Sequence, residues 1–447
     1  MNWKPTKLSD FLTERDGRIK YESANQLGLQ RIKKIDFSGN IHLDAETDTK
    51  TDMIRVKSGD LVISGINAAK GAIAVHAEDD DVLATIHYSA YEFNPDCISV
   101  DFLKWFFKSS EFSDLLREQI PGGIKTELKP KHILPLQVKL PKLSEQITVA
   151  ERLNRFRLEQ LKLEHEITLQ QSLLAKLKQA ILQEAMEGKL TADWRAAHLD
   201  VEPASQLLHR IQVEKARLIA AKKLRPAKRL PKITPVETPF EIPKSWEWCR
   251  LGANIDDKPR NGVSLKPVDY ETNAKTLKLS ATSSGTFDGS QTKYLDLNVE
   301  PDSYLWLRDG DILIQRANSL ELVGTAAVYR GADSEFIYPD LMMKCRAVFS
   351  ESTDYLHHVL SARITRNYFK SKASGSAGNM PKVNQDTVSN TLIPLPPLAE
   401  QAAIVERVGT LMTSCRALEA EIEHARTHAA HLLQAVLKEA FAPASAM

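Results

Sequence analysis

The chain has 447 residues, enough for two or three domains with cores of their own. Its hydrophobic and charged fractions, 43% and 26%, are those of a soluble globular protein, and a net charge of +1 excludes a globally basic nucleic-acid binder, so any basic surface must be local. The four scattered cysteines (Cys97, Cys249, Cys345, Cys415) include no CxxC pair, which argues against a disulfide framework or zinc knuckle and fits a reducing cytoplasm.

The N-terminal MNWKPTKLSDF has no apolar segment of a signal peptide, and no apolar run reaches the length of a bilayer span. Residues 1–140 read as a first mixed domain. Val56 to Val75 (VKSGDLVISGINAAKGAIAV) is two short β-rich runs around a turn, and Phe102 to Leu116 has helical spacing. Asp79, Asp80 and Asp81 read as an acidic loop between strands rather than a cation site.

Residues 141–200 hold the first of two long helices. Proline-containing LPLQVKLPKLSEQ precedes it, Ser144 is a candidate N-cap, and the helix should stop near Gly188. Val149, Leu153, Phe156, Gln160, Leu163, Ile167, Gln170, Leu174, Leu177 and Ile181 alternate in steps of four and three, a heptad seam. Residues 201–245 form a linker, helical over Ala204 to Leu224 and then proline-rich. From 203 to 246 it carries ten Lys or Arg against three acidic residues, clustered at Lys222, Lys223, Arg225, Lys228, Arg229 and Lys232: a solvated face, or one that meets phosphates or an acidic partner.

Residues 246–394 repeat the order of the first domain. Leu307 to Tyr329 matches the first strand pair through its GD and apolar run, and Tyr355 to Phe369 matches the helix. Residues 395–442 then repeat the long helix: LPKLSEQITVAER (Leu140 to Arg152) returns as LPPLAEQAAIVER (Leu395 to Arg407), and QAILQEA (Gln179 to Ala185) as QAVLKEA (Gln434 to Ala440) at the same offset. Here the seam is Ile404, Val408, Leu411, Cys415, Leu418, Ile422, Ala425, Ala429, Leu432 and Val436. So long a period is a duplicated domain plus helix, not a solenoid. Two seams of matched length most simply pack on each other; the other reading packs each on its own domain.

Catalytic motifs are missing. The sequence holds no P-loop, no glycine-rich cofactor loop, no HExxH and no Asp/Asn-Pro-Pro-aromatic tetrapeptide of amino-methyltransferases. His424, His428 and His431 share a helix face beside the seam and read as helix-surface or interface residues rather than a metal site.

These residues resemble the specificity subunit of type I restriction–modification systems. The match rests on the paired LP-x-L-x-EQ helix starts, on EGKLTADWR (Glu187 to Arg195), on PFEIPKSWEWCRLG (Pro239 to Gly252), and on the GDLVIS and GDILIQ strands (Gly59 to Ser64, Gly310 to Gln315). It covers nearly the whole chain. The first domain departs most, its GGIKTELKPKHI (Gly122 to Ile133) being a looser version of SGSAGNMPKVNQDTV (Ser374 to Val388). The resemblance implies an α+β fold: two similar α/β target recognition domains, each reading part of a bipartite asymmetric double-stranded DNA target, joined by two long antiparallel coiled-coil helices. It implies no catalysis and no cofactor in this chain. Two modification subunits using S-adenosylmethionine, and restriction subunits using ATP and Mg, would be recruited in the cytoplasm, with no membrane involved. A helix over Val149 to Met186 would be about 55 Å long, against roughly 34 Å for a turn of B-DNA, so it would serve as a spacer between two readers. Substituting Glu for Leu163 and Leu418 should break the helix pair.

Candidate DNA contacts are cations and small polar groups in loops or at strand ends. In the first half they are Arg31, Lys33, Lys34, Asn67, Lys70, Lys125 and Lys129; in the second, Arg260, Asn261, Lys266, Arg316, Asn318, Lys372, Ser374, Ser376, Asn379 and Lys382. Both halves hold slightly more acidic than basic residues, so strong DNA binding should need the partner subunits. Two other readings stand beside this one. A two-headed coiled-coil adaptor would bind proteins without sequence-specific DNA binding. A recognition fragment of a combined methyltransferase–nuclease is disfavoured by the two-headed pattern.

Overall fold

The computed structural model describes residues 3–15, 17–44, 50–119, 127–226, 229–375 and 380–441. Two compact units emerge, Met1–Gln170 with Glu421–Met447, and Gln171–Ala420. Two helices of 44 residues each, Leu143–Met186 and Leu398–Phe441, contribute one stretch apiece to each unit.

The first unit is built around a four-stranded antiparallel sheet in the order Leu12–Glu14, Tyr88–Phe93, Leu61–Ser64, Ile73–Val75. Leu61–Ser64 is buried along its whole length, which is why LVIS is a continuous apolar run rather than an alternating one. The helix expected over Phe102 to Leu116 is two helices, Val100–Phe107 and Ser110–Gln119. The Ser109 hydroxyl ends the first by donating to Phe106 O at 2.7 Å and starts the second by accepting from Phe112 N at 3.2 Å. Lys4–Lys7 pairs with Gln137–Leu140 in a separate two-stranded ribbon. A five-stranded sheet is added between the common elements, and one of its pairings, Arg31–Ile35 with Val82–Thr85, is parallel. The hydrophobic core of Phe102, Phe106, Phe107 and Phe112 also takes in Ala150, Leu153, Leu437 and Phe441 from the two long helices.

The second unit repeats the frame. Arg260–Asn261, Met342–Cys345, Ile312–Gln315 and Ala326–Val328 form its four-stranded antiparallel sheet, and Glu247–Arg250 pairs with Leu392–Leu395. A three-stranded sheet of Pro267–Val268, Thr292–Leu295 and Ala274–Leu277 takes the place of the five-stranded one. Ala204–Ala220, inside the expected linker, is a helix docked on this unit: Leu207 and Ile211 are buried, and Lys215 Nζ donates to Gly252 O and Ile255 O at 2.9 and 2.7 Å. Lys222, Lys223, Arg225, Arg229 and Lys232 beyond it are exposed; Lys228 lies outside the described residues.

Two local devices explain why particular motifs recur. In the GD turns, Gly59 and Gly310 each have a φ of 83°, a left-handed geometry that favours glycine. The following Asp60 and Asp311 are 1% exposed and close each turn by accepting from Lys57 N and Arg308 N at 2.8 Å. Arg15 compensates Asp60, and Arg346 and Lys344 compensate Asp311. In the LP-x-L-x-EQ motifs, Gln146 and Gln401 are buried and donate from Nε2 to Pro141 O and Pro396 O, both at 3.0 Å. The amide side chain satisfies a carbonyl at the helix start. Ser144 is not the N-cap: the helix already begins at Leu143, and Lys142 O accepts its first amides. At the other end Gly188 has a φ of 70°, and Glu184 O accepts from Lys189 N, a left-handed stop.

The long helices pair antiparallel inside each unit. In the first, Arg152 bridges to Glu439 at 3.0 Å and Gln160 Nε2 donates to Ala429 O at 3.2 Å. In the second, Lys178 bridges to Glu419, and Arg407 reaches beyond the first long helix to Asp193 of the short helix Ala192–Ala197. Of the two seven-residue series in the seam, one is the more buried. Leu153, Gln160, Ile167, Leu174 and Ile181 are all under 8% exposed, whereas Leu163 and Leu177 are 42% and 46% exposed and Phe156 is half-buried. On the second helix Val408, Cys415 and Ala429 are buried, Ile422 and Val436 half-buried, and Leu411, Leu418 and Leu432 exposed.

Candidate nucleic-acid interface

In both units the loop leaving the buried central strand crosses a segment from far along the chain. In the first unit Gly65 N donates to His87 O, and Gly65 O accepts from Leu128 N, both at 2.8 Å. In the second, Arg316 N donates to Leu341 O at 2.8 Å, and Arg316 O accepts from Val383 N at 2.9 Å. The same three backbone strands meet in the same way, and each crossing carries a cluster of polar side chains.

At the second-unit crossing Asn318 N donates to Pro381 O at 3.4 Å, and Ser374 and Lys382 exchange backbone hydrogen bonds at 2.9 and 3.0 Å. Arg316, Asn318, Ser374 and Lys382 are thereby brought together. Gln315, which sequence reasoning passed over, is fully buried. Its Nε2 donates to Leu279 O, Thr282 Oγ1 and Ser283 Oγ, and its Oε1 accepts from Asn318 Nδ2 at 2.6 Å, fixing that side chain. Lys372 and Ser374 are exposed; Ser376 and Asn379 lie outside the described residues.

Arg260 is placed elsewhere. It pairs with Asp257, stacks over Tyr304 at 4.9 Å, and lines a polar cleft of about 250 Å³ with Asp256, Lys344 and Arg346. There burial pushes the Asp256 carboxyl up and the Lys344 ammonium down from their ordinary pKa values. Asn261 is half-buried in the strand beside it, and Lys266 is exposed.

The first-unit crossing is chemically different. Asn67 N donates to Ser64 Oγ at 3.3 Å, and Lys129 is exposed 3.8 Å from Glu127. Glu127 itself accepts from His87 Nδ1 at 2.6 Å, and that hydrogen bond holds its carboxyl below the usual range. Neither partner was a sequence candidate, since nothing in their spacing predicts the meeting. Lys70 lies over the exposed Phe37 ring at 5.5 Å. Arg31 is tied to Asp44 at 3.2 Å, while Lys33 and Lys34 on the same strand are exposed. Lys125 lies outside the described residues.

No metal-binding group of His, Cys, Asp and Glu occurs among the described residues. The His424 and His428 rings lie 4.0 Å apart on the second long helix, tilted by 57°, and both are exposed. No helix among the described residues is long and apolar enough to cross a membrane.

Residues 290–425 match the type I restriction modification DNA specificity domain. The chain is 30% identical over 264 residues to the Escherichia coli type I restriction enzyme EcoEI specificity subunit, covering 58% of this chain and 44% of that protein. It is 25% identical over 344 residues to the EcoKI specificity subunit of Escherichia coli K12, covering 76% and 64%. The aligned spans are therefore less than two thirds of either relative. A solved chain described for complex assembly and conformational transition of a type I restriction–modification system has the same fold, with a TM-score of 0.63, 16% identity, and 98% and 97% of the two chains covered. The HsdS subunit from Thermoanaerobacter tengcongensis aligns with a TM-score of 0.50 at 16% identity, covering 98% and 96%.

Proposed function

We propose, for a chain that belongs to the type I restriction modification DNA specificity family, that it is the non-catalytic subunit that reads a two-part DNA sequence. The observation that carries the reading is the repeated crossing at Gly65 and Arg316, one backbone frame built twice with different side chains on it. A frame held by backbone hydrogen bonds keeps its shape while its side chains vary, and base readout needs that combination. The two readers differ, which suits an asymmetric target. Modification subunits would bring S-adenosylmethionine and methylate adenine, and ATP-dependent restriction subunits would join them. The named relatives are parts of restriction enzymes, which supports this division of labour.

The test is sequencing of adenine methylation in host DNA with and without this gene. Loss of a two-part motif with a fixed gap on deletion is the expected result. An unchanged methylome would favour a protein-binding adaptor instead.

A further inference from the structure

The repeat offset that aligns the long helices also runs backward into the crossings. Leu128 falls on Val383 and Lys129 on Asn384, the latter two each preceding a short helix, Pro130–Ile133 and Gln385–Ser389. Glu127 therefore falls on Lys382. On the facing strand, aligned instead through the GD turns at Gly59 and Gly310, Gly65 falls on Arg316. At one shared point of the frame the first unit places a carboxylate and a residue with no side chain, and the second unit places two cations.

We propose that this point selects a base in each half of the target, Glu127 by accepting from a cytosine amino group and Lys382 by donating to a guanine edge; the inference rests on the DNA-reading role proposed above. An ionised carboxylate only accepts, and an ammonium only donates, so in the major groove they demand bases of opposite hydrogen-bonding polarity.

The geometry of the first unit fits that task. The Glu127 side chain is 31% exposed, partly shielded yet reachable. His87 Nδ1 holds one of its oxygens at 2.6 Å, and Lys129 stands 3.8 Å from the other, offsetting charge that phosphates would repel. Gly65 makes the room: a Cβ there would lie 2.7 Å from Leu128 O and 3.2 Å from Glu127 Cγ. His87 acts here as a positioning residue. In the second unit the exposed Lys382 is fixed through its backbone by Ser374 on one side and by the isolated bridge to Ala317 on the other.

The experiment is selection of bound duplexes from a randomised library by the full chain assembled with its modification subunits, wild type and variants, with thermal melting recorded for each. Wild type is expected to select a two-part motif. Glu127→Gln is expected to move one base pair of one half from cytosine toward adenine, a change in preference of about tenfold, with the other half unchanged. Glu127→Asp should keep the base choice, and Lys382→Gln should alter one base pair of the opposite half. A wild-type two-part motif that Glu127→Gln leaves unaltered, or weakens evenly at every position in a variant that melts normally, overturns this inference but not the DNA-reading role. Absence of any two-part motif in the wild type overturns both.

Discussion

Trp246 donates its indole N–H to the buried carboxylate of Glu400 at 2.8 Å, and the equivalent pair in the first unit, Trp3 and Glu145, meets at 3.3 Å. The duplicated contact is embedded differently. Glu400 is fully buried and also accepts from Thr191 Oγ1 at 2.7 Å and from Arg195 Nε and Nη2 at 3.0 and 2.8 Å. Glu145 is half-buried. Removing one member of a buried, hydrogen-bonded charge pair costs about 3–5 kcal/mol, because the other is left uncompensated. Glu400→Ala is therefore expected to lower the stability of the second unit by that order, and Glu145→Ala to cost about 1 kcal/mol. Denaturant titration of both variants checks the asymmetry, and equal losses would contradict it.

The helix pair is sensitive at one register only. Ile167 and Leu174 are 4% and 6% exposed, while Leu163 and Leu418 are 42% and 50% exposed. Truncating a buried aliphatic residue to Ala costs about 2–5 kcal/mol. Ile167→Ala should fall in that range, and Leu163→Ala below about 1 kcal/mol. This corrects the expectation that Glu at 163 and 418 breaks the pair: a half-exposed glutamate keeps much of its hydration, whereas Asp at Ile167 or Val408 has none. Circular dichroism melting of Ile167→Ala, Leu163→Ala, Leu163→Glu and Ile167→Asp decides between the registers.

Gly409 stands inside the second long helix, where an added Cβ would meet nothing within 4 Å. Its freedom serves no visible geometric need. Gly409→Ala is expected to stabilise the protein by about 0.5–1 kcal/mol, the helix-interior difference between the two residues. Gly262 has the opposite sign, since its Cβ would overlap the Tyr338 carbonyl, and Gly262→Ala should cost about 2 kcal/mol or more. Melting temperatures of the two alanine variants should move in opposite directions.

Acid should weaken the second unit through His358. Burial, with the neighbouring His357 adding to it, pushes this imidazole down to about 4 from its ordinary 6.5. Between those values the unfolded chain binds a proton that the folded one refuses. Stability is therefore full above about pH 6.5 and falls as pH drops toward 4, by on the order of 3 kcal/mol. His358→Asn should flatten the pH dependence of unfolding over that interval. A slope unchanged by the substitution would assign acid lability to other groups, His357 first among them.

Much of this architecture was legible because duplication writes it twice. The GD turns and the LP-x-L-x-EQ helix starts recur for local reasons, a left-handed glycine and a glutamine bonded five residues back, and local geometry leaves a mark in sequence. The helix breaks at Ser109 and Ala362 leave weaker marks, since apolar spacing runs across both. His87 and Glu127 are forty residues apart in the chain and meet only because Gly65 passes between their backbones. No spacing rule predicts such a pair. Arg260 has the charge and strand-end position of a DNA contact, but Asp257 and Tyr304 occupy it. Charge type alone does not separate a reader from a structural cation.

Arg316 separates base reading from phosphate holding. Its backbone is locked at the crossing by Leu341 O and Val383 N, while among the described residues its guanidinium makes one long contact, 3.4 Å to Asp340 O. The side chain is thus placed without being consumed. If it reads a base edge, Arg316→Ala should relax one base pair of one half-site, costing about 1–3 kcal/mol there and leaving the other half-site intact. A phosphate contact would weaken all sequences alike and lower the salt dependence of binding by about one counterion. Duplex binding measured at several salt concentrations, on targets altered in one half at a time, distinguishes these outcomes. Relaxation confined to one half is the expected result, because the Arg316 crossing lies wholly within the second unit.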